Sequence, residues 1–112
     1  MSSSELSEPL RRFVERYIPT LDHVAILLAA REQPATVHSP SGLALHGRLD
    51  RSTADQVVAS LIASQLLARE GEGIRYAPPA DVRSMVDELA VVYRTMPVTL
   101  IRAIYARVTR ST

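Results

Sequence analysis

The chain has 112 residues, of which 46% are hydrophobic and 22% charged, with a formal net charge of +1 and no cysteine. That balance lies well away from the profile of disordered chains and predicts one soluble domain with a single core. The missing cysteines exclude disulfides, thiolate metal ligands and a cysteine nucleophile.

The longest purely apolar run, Val24 to Ala30, is far shorter than the roughly 20 residues that cross a bilayer. Met1 to Glu8 is polar and acidic, without the basic and apolar regions of a signal peptide. The expected compartment is therefore the cytoplasm. All 13 basic residues are arginine, a composition bias rather than a device, although guanidinium suits bidentate contact with phosphate, carboxylate or guanine.

Ser7-Glu8-Pro9 predicts a helix start, with a capping serine and a proline where no amide partner is needed. Leu6, Leu10, Phe13, Val14 and Tyr17 then recur at helical spacing. Pro19-Thr20 ends that helix and offers a cap to a second, mostly buried one that carries His23 and runs to Pro34. The stretch from Pro34 to Ser39 reads as a loop. Ser39-Pro40-Ser41-Gly42 predicts the cap and first turn of a short helix with Leu43, Ala44 and Leu45.

A turn over His46 to Asp50 follows, with Asp50 as cap of a helix from about Arg51 to Leu67. Ala54, Val57, Val58, Leu61 and Ile62 form its buried stripe. Leu66 to Glu70 and Ile74 to Ala77 flank Gly71-Glu72-Gly73 and predict a β-hairpin. Asp81 is the expected cap of a further helix carrying Val82, Met85, Val86, Leu89, Val92 and Tyr93, interrupted at Met96-Pro97. A last helix places Val98, Ile101, Ile104, Tyr105 and Val108 on one side, with Arg102, Arg107 and Arg110 elsewhere.

This order, over roughly Thr20 to Pro78, resembles the winged helix-turn-helix superfamily of prokaryotic transcriptional regulators. Leu43-Ala44 followed by Leu49-Asp50 is similar to the first helix and turn of the motif. Val58, Leu61 and Leu66-Leu67 fall where relatives place apolar residues of the recognition helix and first wing strand. Two positions depart from the pattern: Arg48 stands where the family's turn glycine falls, and Gln65 where a glycine often ends the recognition helix.

The resemblance implies a mainly α fold with a small β-hairpin. It divides the chain into an N-terminal helix (1–18), a winged core (19–78) and C-terminal helices (79–112). It also implies a homodimer through those C-terminal helices and duplex DNA as partner. Ser52, Thr53, Asp55, Gln56, Ala59 and Ser60 would face the major groove, Gln56 pairing with adenine and Ser52, Thr53 and Ser60 meeting phosphate or base edges. Arg48, Arg51, Arg69 and Arg75 would supply positive charge, Arg69 and Arg75 from the wing.

Between Arg48 and Arg75 these four arginines are matched by Asp50, Asp55, Glu70 and Glu72, a net of zero. A DNA-reading surface concentrates positive charge, so a protein-docking winged helix is the alternative. No catalytic apparatus is legible. His23, His38 and His46 lack the spacing that places two metal ligands on one helical face. Gly71-Glu72-Gly73 lacks the lysine and helix of a phosphate loop, and Ser60 and Ser64 have no triad context. No metal and no cofactor are expected.

Overall fold

The computed structural model of the chain describes residues 6–110, with side chains through residue 105. The elements run α1 (Glu8–Tyr17), α2 (Leu21–Arg31), β1 (Val37–His38), α3 (Pro40–Gly47), α4 (Arg51–Ala63), β2 (Leu67–Glu70), β3 (Gly73–Tyr76), α5 (Ala80–Thr95) and α6 (Pro97–Arg110). The protein is thus mainly helical with a small antiparallel sheet. It divides into two compact units, Met1–Leu21 with Asp81–Thr112 and Asp22–Ala80.

In the first unit the Ser7 hydroxyl oxygen accepts the Leu10 amide at 3.3 Å, as the sequence predicts for an N-cap. The same hydroxyl donates to Glu88 Oε2 at 2.7 Å, so the cap also ties α1 to α5. Leu10, Phe13 and Val14 are buried with Val86, Leu89 and Val92 of α5 and with Leu100 and Ile104 of α6, and α1 packs against α6. The expected cap of α5 shifts. The helix already includes Ala80, so Asp81 lies inside its first turn, where its charge still favours the positive end of the helix dipole.

The apolar residues of α6 do not share one side as the sequence reading has it. Leu100 and Ile104, four apart, are buried, whereas Val98, Ile101 and Tyr105 follow a second stripe and remain 59%, 37% and 39% exposed. Tyr93, expected to be buried on α5, is exposed beside the exposed Val91. Tyr105 is anchored nonetheless, its hydroxyl oxygen accepting the Leu21 amide at 3.1 Å. The side chains of Arg107, Val108 and Arg110 lie outside the described residues.

In the second unit α2 is largely buried, with His23, Val24, Ile26, Leu27, Ala29 and Ala30 all buried. Burial holds the His23 imidazole below its ordinary pKa, against a smaller opposing effect of Asp22. The stretch read as a loop contains a strand. β1 pairs with β3 (Val37 with Arg75, His38 with Ile74), giving a sheet in the order β1-β3-β2 rather than a bare hairpin. Two residues are too few to show an alternating pattern, so the strand has no signature in sequence. Gly73 makes room for it: a Cβ there would lie 2.2 Å from Val37 Cγ1.

Arg48 and Gln65, the two positions that depart from the pattern the resemblance implies, have left-handed backbones, at φ 59° and φ 66°. Each closes a helix in a Schellman arrangement. The Leu49 amide donates to Ala44 and the Arg48 amide to Leu45, while the Leu66 amide donates to Leu61 and the Gln65 amide to Ile62. The helix expected to reach Leu67 therefore stops at Ala63, and the buried Leu66 and Leu67 pass into the sheet.

A side chain other than glycine costs roughly 1–2 kcal/mol in this conformation, partly offset by the freedom that glycine gives the unfolded chain. Gln65→Gly should raise the unfolding free energy by about 0.5–1 kcal/mol, and Gln65→Val should lower it, because β-branching is least tolerated there. Urea denaturation of both variants checks the pair of signs; a loss of stability in Gln65→Gly would contradict the assigned cap.

Candidate nucleic-acid interface

Two caps build the α3–α4 corner. Ser39 Oγ accepts the Gly42 amide at 2.9 Å and starts α3, with Pro40 in the first turn. Asp50 starts α4: its Oδ2 accepts the Thr53 amide at 3.0 Å and its Oδ1 accepts the Thr53 hydroxyl at 2.7 Å. The side-chain bond from Thr53, followed by the backbone bond, holds the Asp50 carboxyl below its ordinary pKa of 3.8.

The exposed face of α4 carries Arg51, Ser52, Asp55, Gln56 and Ala59, which recur at helical spacing. Ala54, Val57, Val58 and Leu61 are buried on the opposite face, as their periodicity predicts, and Ile62 is half-buried. Thr53 and Ser60 are half-buried on the flanks. The Thr53 hydroxyl is engaged by Asp50, which leaves Ser52 and Gln56 as the open hydrogen-bonding side chains of the stripe.

Arg51 is held on two sides. Its Nε donates to Asp55 Oδ1 at 3.0 Å, one helical turn on, and its Nη1 donates to Ser41 Oγ at 2.9 Å in the first turn of α3. A single guanidinium therefore spans the two helices and compensates the carboxylate in the middle of the stripe. On the hairpin, Arg75 Nη1 donates to Glu70 Oε1 at 2.6 Å.

Arg48, in the turn, and Arg69, on β2, are exposed and have no ion-pair partner among the described residues. The net charge of zero thus conceals an arrangement: Asp50, Asp55 and Glu70 are engaged within the motif, while Arg48, Arg69 and Glu72 are left open. The hairpin turn has Gly71 at φ 63°, a conformation that glycine adopts without strain. Sequence reasoning did not find Ser41, because its role appears only when α3 and α4 are brought side by side.

Comparison with protein-family models, curated proteins and solved structures returns no match to this chain.

The cap gives a pH dependence with a definite sign. Asp50 has a lower pKa folded than unfolded, so its contribution is complete above the unfolded value. It is lost as the pH falls through 3.8 toward the folded value. Asp50→Asn keeps a capping oxygen but removes the titration. The thermal midpoint of this variant should fall less steeply than the parent's between about pH 5 and pH 3. Parallel curves would place the titrating cap elsewhere.

Proposed function

We propose that this protein is a winged helix-turn-helix transcriptional regulator that binds duplex DNA. α4 enters the major groove, and the β2–β3 hairpin serves as a wing on the flanking backbone. The order α2, β1, α3, α4, β2, β3 and the sheet order β1-β3-β2 support this topology. The observation that carries the reading is the polar stripe of α4, in which Asp55 is compensated by Arg51 and Gln56 and Ser52 stand open.

Gln56 suits the N6 and N7 edge of adenine, and the exposed Ala59 methyl suits the methyl of thymine. Arg48 and Arg69 have no competing carboxylate and are the stronger phosphate contacts, while Arg75 must share its guanidinium with Glu70. In this reading the protein acts in a prokaryotic cytoplasm and uses neither metal nor cofactor.

A second reading, a winged helix that docks a protein, is favoured by the pairing of Arg51 with Asp55 and Arg75 with Glu70, which neutralises two of the four arginines. Titration of labelled random-sequence duplex at low and moderate salt separates the two. The regulator predicts binding that weakens with salt. Arg48→Ala and Arg69→Ala should each reduce the salt slope by about one, and Arg75→Ala by less. Absence of binding at low salt would exclude the regulator and leave the docking module.

The regulator is further proposed to be a two-fold dimer through α5 and α6, which would match a palindromic site. The outward stripe of Val98, Ile101 and Tyr105 supports this interface, since α6 fills its own unit with Leu100 and Ile104 instead. Light scattering at high micromolar concentration should give twice the monomer mass, and Val98→Glu with Ile101→Glu should return the monomer with helicity unchanged. A monomeric parent would remove the dimer.

A further inference from the structure

We propose that the cleft between α2, β1 and α3 is a binding site for a small organic ammonium ion, a primary amine carrying a short apolar body. The cleft measures about 310 Å³, at the lower end of the roughly 300–1,000 Å³ typical of small-molecule sites. It lies wholly within the second unit. Ala29 and Leu43, 5% and 2% exposed, line its apolar part, and the side chain of Val37 stands 42% exposed beside them.

The polar groups select the charge of the ligand. Glu32 is the only Asp, Glu, Lys or Arg among the lining residues. Its Oε1 is 3.7 Å from His46 Nε2, beyond hydrogen-bond reach and an ion pair only when the imidazole is protonated. Several donors that could greet an anion are already engaged. His38 Nε2 donates to the Gln33 carbonyl at 3.2 Å, which leaves Nδ1 of that ring as an acceptor. The Thr36 hydroxyl donates to Gln33 Oε1 at 3.3 Å, and the Gly42 amide to Ser39 Oγ at 2.9 Å.

A carboxylate or phosphate in the cleft would therefore face Glu32 with no lysine or arginine among the lining residues to compensate it. A purely apolar ligand would cover Leu43, Ala29 and Val37 but make no use of the carboxylate. An ammonium group satisfies Glu32 by a charge-assisted hydrogen bond and can donate to the imidazoles as well, while its hydrocarbon part covers Leu43, Ala29 and Val37. Glu32 is well exposed at the mouth, so charge selection operates at the rim and apolar contact deeper in. The binding step requires no DNA, and its test is independent of the regulator reading.

The probe is phenethylamine, titrated into the full-length ¹⁵N-labelled protein at pH 8, with 3-phenylpropionate as a carboxylate of similar shape. Saturable amide shifts confined to Glu32, Gln33, Val37, His38, Gly42 and His46 are expected with the amine, and none with the carboxylate. Glu32→Gln, a surface change that preserves shape, should weaken the amine by about two- to fivefold. Non-saturating or scattered shifts, equal binding of the two probes, or unchanged affinity in Glu32→Gln would each overturn the proposal.

Discussion

The corner between α3 and α4 is fixed by backbone and short polar groups at the helix ends. The Leu49 amide reaches back to Ala44, Arg48 takes a left-handed backbone, and the Asp50 carboxylate receives both the amide and the hydroxyl of Thr53. Each of these satisfies a group that a helix end otherwise leaves without a partner. Together they fix where α3 stops and where α4 starts within three residues. The side chains that α4 presents inherit that placement: a shift of one residue at Asp50 would rotate the exposed stripe by about 100° and turn Val57 or Val58 toward solvent.

Arg51 shows how charge is organised on this corner. A helix surface that carries Asp55 in its middle is a poor partner for a polyanion if the carboxylate stands alone. Here the guanidinium one turn earlier accepts that role and also reaches Ser41, so the acid is answered locally and α3 is tethered in the same step. Exposed pairs of this kind contribute little stability, typically 0–1 kcal/mol. Their larger effect is on the local field, because the arginines without such partners, Arg48 and Arg69, define where positive charge remains available.

Much of this was legible in the sequence because it rests on short-range chemistry. Ser7, Ser39 and Asp50 precede their helices with the residue types that caps require, and all three receive the expected amide. The buried stripe of α4 followed from the spacing of Ala54, Val57, Val58 and Leu61. Arg48 and Gln65 stand out in sequence only as departures from the glycine pattern of the resemblance, and the backbone is left-handed at both. What escaped depends on contacts between distant segments. Gly73 leaves room for Val37 of β1, Ser41 matters because Arg51 lies beside it, and the Thr53 hydroxyl is engaged because Asp50 offers two oxygens.

The division of α6 into two stripes follows the same logic and bears on how many surfaces the protein presents. Six large apolar or aromatic residues along one helix look like a single broad face when only their number is read. Burial separates Leu100 and Ile104 from Val98, Ile101 and Tyr105, and α6 packs with α1. The second stripe runs nearly two turns along the exposed side of α6, a larger apolar surface than single exposed side chains make. The polar stripe of α4 and the apolar stripe of α6 call for different chemistries, one that can hydrogen-bond to Gln56 and Ser52 and one that removes hydrocarbon from water. The proposed two-fold dimer on duplex DNA would use both surfaces, whereas a single protein docked on α4 would use only the first.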